Sequence, residues 1–333
     1  MADRITFAQL VNKVQSGRIT QKESEQYFAY DSATTKPFDP GIALNENNVD
    51  ISGVELAARA SAYELGVKAD KIAKANLITT SARAPKPDGS IIAEGDSWFH
   101  LPSWYQKTMI TWLQDIYPIT DIAHQGDTLE DIMIKGEYQQ YLATGKVRIL
   151  LFSAGGNDFL GSELASCLNQ FDVDHTKPSD AAYYITPAFD QILSHCDGYY
   201  RLLSSQVQSS KSSRARIVVH GYDHVSPACH GIFIGDKMST LGLNPCDKKY
   251  APLCNAIIHL MIDRFNNMLA NLARFLPNFT YCNLRGTLSA GDFFDELHPK
   301  SANARLLANK MAKCMGPSIA RARATQRRQP EHV

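Results

Sequence analysis

From Ile91 onward the chain alternates short apolar runs with longer helix-patterned stretches, and that alternation restricts it to a small set of folds. The apolar runs are Ser90 to Ala93, Ile119 to Ala123, Val147 to Phe152, Ile217 to His220 and Thr280 to Asn283. Runs of this length bounded by turn residues read as buried strands. Helices are expected over Ser103 to Tyr117, Leu129 to Leu142, part of Ala181 to Val207, Leu253 to Leu276 and Ser301 to Met315. Strands and helices that alternate in this way, joined by right-handed crossovers, build a mainly parallel five-stranded sheet covered on both faces. The expected fold class is therefore α/β, a three-layer α/β/α sandwich.

In such a sheet the ligand rim lies beyond the carboxyl ends of the strands. The first run stops at Gly95, which supplies freedom for a sharp turn, and then presents Asp96-Ser97. A hydroxyl at that rim is a nucleophile candidate, although Gly-Asp-Ser alone is more often a turn or a helix cap. Three further stations follow. Gly126-Asp127-Thr128 and Gly155-Gly156-Asn157-Asp158 each end a strand, and Asp295-Glu296-Leu297-His298-Pro299 stands far downstream. Residues three apart in a helical turn or tight loop face one side, so the Asp295 carboxylate can hold the His298 imidazole. An alcohol is a poor nucleophile at neutral pH and needs such a base, which in turn needs an orienting group.

In this order, Gly95-Asp96-Ser97, Gly126, Gly156-Asn157-Asp158 and Asp295-x-x-His298-Pro299 resemble the SGNH hydrolases, also called the GDSL esterase/lipase family. The resemblance covers most of Ile91 to about Lys313. It implies a flavodoxin-like sandwich with Ser97 as nucleophile, His298 as base and Asp295 as its orienting acid. The amides of Ser97 and Gly126 and the side chain of Asn157 would form the oxyanion hole. Neither a metal nor an organic cofactor is implied. The implied reaction is hydrolysis of a carboxylic ester, with a lipid, an acetylated glycan or a small ester as substrate. Trp98 stands where the family's popular name has leucine, and Trp98, His220 and Phe233 are the expected substrate-binding residues. Asp96 reads as holding the turn and Asp158 as bracing its loop. His100 is a weaker alternative base. Two other classes stay open: an SGNH-fold binding module without turnover, and a delivered effector whose N-terminal region docks to a partner.

The chain divides into a helical accessory region over 1–80, a Pro-containing linker over 81–90, the hydrolase-like domain over 91–315 and a basic tail over 316–333. A short helix is expected at Gln21 to Phe28 after Thr20, with Ser24 and Glu25 exposed, and an amphipathic one from Val54 to about Ile78. Residues 1–80 are either a prop packed on the main domain or the site of a protein partner. Leu160 to about Pro187 and Gly221 to about Pro252 exceed what crossovers require and emerge at the Ser97 rim. Ile232, Phe233, Ile234, Met238, Leu241 and Leu243 in the second suit either a lid over an acyl chain or packing beneath the loop.

Lys plus Arg and Asp plus Glu both number 34, so no overall field draws the chain to nucleic acid. No run has the length of an integral membrane segment, and the amino end carries no ordinary export signal. A cytoplasmic location is the default, with signal-independent export left open. The seven cysteines look like reduced thiols rather than a disulfide framework. His220, His224 and His230 gather around Cys229, but the spacings fit no familiar zinc pattern and favour packing.

Overall fold

In the computed structural model, which describes residues 4–31, 41–52, 62–80, 85–102 and 105–316, two threonines start the first helices. Thr6 and Thr20 each close a reciprocal capping box, with Gln9 and Glu23 respectively, ahead of α1 (Phe7–Gln15) and α2 (Gln21–Tyr27). The N-terminal region is not purely helical, which corrects the expectation. A parallel pair joins β1 (Ile5–Thr6) to β4 (Val49–Asp50), and an antiparallel pair joins β2 (Phe28–Tyr30) to β3 (Ile42–Leu44). These short strands bury Phe28, Ile42 and Val49 against Leu10, Val14 and Ile19 in a small core separate from the main one. Ser24 belongs to the inner face too. It is buried rather than exposed, because it lies three residues before Tyr27 on the side of α2 that packs on α3 (Ala62–Thr80). Glu25 is exposed.

Helix α3 fixes this region to the rest of the chain through polar contacts. Lys71 Nζ lies 2.8 Å from His124 Nε2, Gln125 Nε2 donates to the Tyr63 hydroxyl at 2.9 Å, and His100 Nε2 is 3.7 Å from Asp70. The first part of the expected helix, residues 54–61, lies outside the described residues, as do residues 81–84 of the linker and 317–333 of the tail.

The main sheet contains β5 (Ile91–Gly95), β6 (Ile119–Asp121), β7 (Ile149–Ser153), β8 (Arg216–Gly221) and β9 (Phe279–Asn283). All neighbours pair in parallel in the order β6-β5-β7-β8-β9, the doubly wound flavodoxin-like order. Every residue of β5 and β7 is buried, as expected of strands covered on both faces. One face carries α4 (Met109–Gln114) against α11 (Ser301–Met315). The other carries α5 (Leu129–Lys135), α8 (Pro187–Ser209) and α10 (Ala251–Phe275). The fold is a three-layer α/β/α sandwich.

The helix expected over Leu129 to Leu142 is split. Gly136, in the left-handed region, ends α5 and starts α6 (Glu137–Leu142). Helix α4 is shorter than expected, and residues 103 and 104 lie outside the described residues.

The expectation of reduced cysteines is corrected at one pair. Cys229 and Cys246 form a disulfide across 17 residues of the Gly221 to Pro252 stretch, while Cys167, Cys196, Cys254, Cys282 and Cys314 are free. An odd count of cysteines does not show that this stretch folds back around α9 (Gly235–Thr240). Phe233, Ile234, Met238 and Leu243 of the same stretch are buried, so these four pack beneath the loop, while Ile232 is 41% exposed.

Candidate active site

The order β6-β5-β7 places a switch point between β5 and β7, and the two strands deliver their turns side by side. At the end of β5 the backbones run so close that a Cβ on Gly95 would come within 2.5 Å of the Ser153 carbonyl oxygen. Asp96 then locks the turn. Its carboxylate accepts from Trp98 N at 3.0 Å, from the Ser153 hydroxyl at 2.8 Å and from the Tyr222 hydroxyl. Burial pushes the Asp96 carboxyl up to about 6, with those hydrogen bonds and the nearby His298 pulling the other way.

This turn brings the Ser97 hydroxyl to 2.9 Å from His298 Nε2. His298 Nδ1 lies 2.8 Å from Asp295 Oδ2. The other oxygen, Oδ1, accepts the backbone N–H groups of Leu297 at 2.8 Å and His298 at 2.7 Å, which is what the three-residue spacing provides. Burial acts to raise the Asp295 carboxyl, but the His298 charge and the hydrogen bonds from His298 and Tyr105 outweigh it and hold it at about 2. An ionised carboxylate only accepts, so Nδ1 carries the imidazole proton and Nε2 is left to accept from the serine.

Asn157 sits at the start of α7 (Gly156–Leu160), which follows the left-handed turn at Gly155. Its Nδ2 donates to the Asp127 carbonyl at 2.8 Å, which fastens it to the Gly126 loop. That loop runs against β5 through His124 N to the Gly95 carbonyl at 2.8 Å. Asp158 braces the same corner by accepting Leu129 N at 2.9 Å, and burial lifts its carboxyl to about 6.

The structure thus brings Ser97, His298 and Asp295 into one hydrogen-bonded chain and sets Gly126 and Asn157 on the same rim. Of the expected substrate-binding residues, Trp98 lines a small cavity together with Ser97, Leu101 and Thr108, whereas His220 lies in the core. Trp98 and His220 stack on each other at 5.7 Å beneath the turn, and His220 is fully buried, its imidazole pushed down to about 4 by desolvation. His220 is a packing group, while Trp98 stays beside the nucleophile. Phe233 is buried with its ring edge-on to His298 at 5.6 Å. His100 faces away from the serine, with Nδ1 2.9 Å from Asp121.

Two residues gave no sequence signal. Glu296, inside the Asp-x-x-His station, is buried and accepts four backbone N–H groups, from Ala228, Phe233, Ile234 and Gly235, at 2.8 to 2.9 Å. It ties the 228–235 loop to the histidine. Tyr105 donates to Asp295 Oδ2 at 2.7 Å across a separation of 190 residues.

Ser97 is only 1% exposed and His298 not at all. A cleft of about 640 Å³ reaches Asn157 and Asp158 and is also lined by Thr128, Glu130, His195 and Tyr199. Cys229, His230 and Cys246 offer donor atoms close together, but the two cysteines are joined and present no thiolates.

No family's sequence profile matches the chain, and no curated protein does. Among solved structures it is similar to the lipase Lip_vut3 from a goat rumen metagenome, at 14% identity and a TM-score of 0.43, over 67% of this chain and 96% of that one. It is also similar to an acetylxylan esterase from Geobacillus stearothermophilus, at 14% identity and a TM-score of 0.40, over 69% and 95% of the two chains. The four motifs that carry the resemblance to the SGNH hydrolases lie together at one edge of the sheet.

Proposed function

We propose that this chain is a serine hydrolase of the SGNH type that cleaves a carboxylic ester through an acyl-Ser97 intermediate. The observation that carries the reading is the continuous chain from the Ser97 hydroxyl through the His298 ring to the Asp295 carboxylate, at 2.9 and 2.8 Å. In the reaction, His298 Nε2 takes the hydroxyl proton as Ser97 Oγ attacks the ester carbonyl. The oxyanion is met by the amides of Ser97 and Gly126 and by the second N–H of the Asn157 side chain, the first being held by Asp127. The tetrahedral adduct collapses as His298 hands the proton to the departing alcohol. Water, deprotonated by the same ring, then attacks the acyl-serine and releases the acid.

Because the Ser97 hydroxyl is covered, an ester reaches it only once the groups above it move. The ring of Phe294, 49% exposed and packed on Tyr105 beside the acid, favours an apolar acyl group. The Cys229–Cys246 bridge favours an oxidising compartment, in keeping with export rather than residence in the cytoplasm. The test is a chain-length series of p-nitrophenyl esters set beside phospholipids and acetylated glycans. Turnover by the wild type and none by Ser97→Ala, with the fold intact by circular dichroism, supports the reading. Equal rates in both proteins would remove it.

A further inference from the structure

Asp295 is held on all four of its lone-pair sites. Oδ1 takes the backbone N–H groups of Leu297 and His298, while Oδ2 takes His298 Nδ1 at 2.8 Å and the Tyr105 hydroxyl at 2.7 Å. Three of these donors come from the Asp-x-x-His loop itself. The fourth comes from the segment that leads away from Ser97 toward α4, where Tyr105 N donates to the Pro102 carbonyl at 2.9 Å. Tyr105 is therefore the one hydrogen bond in this set that ties the acid to the serine side of the site. It is 8% exposed, and burial together with the Asp295 charge pushes its hydroxyl up, so the group stays protonated and donates.

Tyr105 is itself held by neighbours. Phe294 meets it edge-on at 5.0 Å, His298 edge-on at 6.1 Å, and Tyr30 packs on it at 5.1 Å. Tyr30 is the last residue of β2, and the antiparallel β2–β3 pair continues past it, with Asp31 N donating to the Gly41 carbonyl at 2.9 Å. The N-terminal region thus reaches to within two side chains of the histidine.

We propose that Tyr105 is a positioning residue for the Asp295–His298 pair, and that Tyr30 of the N-terminal region keeps it in place. The inference rests on reading Ser97, His298 and Asp295 as a triad. Without the Tyr105 hydroxyl, Oδ2 serves His298 alone. It then stabilises the imidazolium more strongly while losing the contact that fixes its position relative to Ser97. The first effect moves the acid limb of kcat/KM to higher pH, and the second lowers kcat with little change in KM.

The experiment compares wild type, Tyr105→Phe, Tyr30→Ala and the double variant on p-nitrophenyl acetate across pH, with an NMR titration of the His298 ring in each. Tyr105→Phe keeps the ring packing and is expected to lower kcat about tenfold, leave KM within about twofold, and move both the acid limb and the ring titration up by about half a pH unit. Tyr30→Ala should move the same quantities in the same direction by less, and the double variant should be no worse than Tyr105→Phe. An unchanged kcat and acid limb in Tyr105→Phe, or losses in the double variant that multiply, overturns the proposal. If the wild type shows no turnover, the esterase reading fails separately, and an unchanged His298 titration in Tyr105→Phe still sinks the positioning role.

Discussion

His298 Nε2 lies 2.9 Å from the Ser97 hydroxyl although 201 residues separate them along the chain. The parallel sheet closes that gap. Ser97 leaves the carboxyl end of the strand flanked by β6 and β7, and His298 returns between β9 and α11 at the same edge. Each group is set by local backbone geometry, the Asp96 turn on one side and the Asp295 loop on the other.

The Asn157 side chain has one N–H fixed on Asp127, so its amide is oriented before any substrate arrives. Asn157→Ala is expected to lower kcat by about a hundredfold or more while KM changes little, since its donor matters most when charge develops on the carbonyl oxygen. Steady-state kinetics on a short p-nitrophenyl ester checks this. A rise in KM with kcat intact would assign Asn157 to binding instead.

Glu296 holds the 228–235 loop through four backbone donors on one carboxylate. In Glu296→Gln one oxygen becomes an NH2 that faces those donors, and buried N–H groups lose their acceptor. The expected loss is about 2–4 kcal/mol in urea unfolding. Activity should also fall, because Phe233 of the same loop packs on His298. An unchanged midpoint would show the loop to be held by its apolar packing alone.

Much of this was legible beforehand. The five strands, the capping Thr20 and the placement of Asp295 three residues before His298 follow from apolar runs and short spacings, which are local signals. Glu296 and Tyr105 were not legible, because an acid beside a motif and a tyrosine in a loop acquire their roles only from partners 61 to 190 residues away. His220 reads from the sequence as a pocket residue because it stands at the end of a strand. The sheet is covered on both faces there, so His220 is buried whichever way its strand position points it. The Cys229–Cys246 pairing was hidden for a related reason, since spacing alone does not fix the path of a long loop.

Glu94 lies in β5 beside the Asp96 turn, and its carboxyl is pushed up from 4.5 to about 9 by burial, with the charges of Glu137, Asp127 and Asp121 adding to the effect. The folded protein therefore keeps a proton that the unfolded chain releases above pH 4.5. Stability contributed at this site is full below that pH and declines as pH rises toward about 9. Glu94→Gln, whose amide oxygen can still accept from Gly95 N, removes the dependence. Its advantage over wild type should grow from pH 5 upward, to at most about 4 kcal/mol at pH 7.5. Thermal melts of both proteins across that range measure it, and parallel curves would contradict the assignment.

The Cys229–Cys246 bridge closes a loop of the size for which cross-linking adds about 3 kcal/mol. Cys229→Ser with Cys246→Ser should lower the unfolding midpoint accordingly, and reductant should do the same to wild type. Five cysteines remain in the double variant, so a reductant-sensitive melt there would point to a different pair.

The most direct measurement is intact-mass analysis after treatment with a serine-directed fluorophosphonate. The expected result is a single adduct on wild type, mapped to Ser97, markedly slower labelling of His298→Ala and none of Ser97→Ala. A wild-type chain that stays unlabelled while folded, or an adduct that persists in Ser97→Ala, would contradict it.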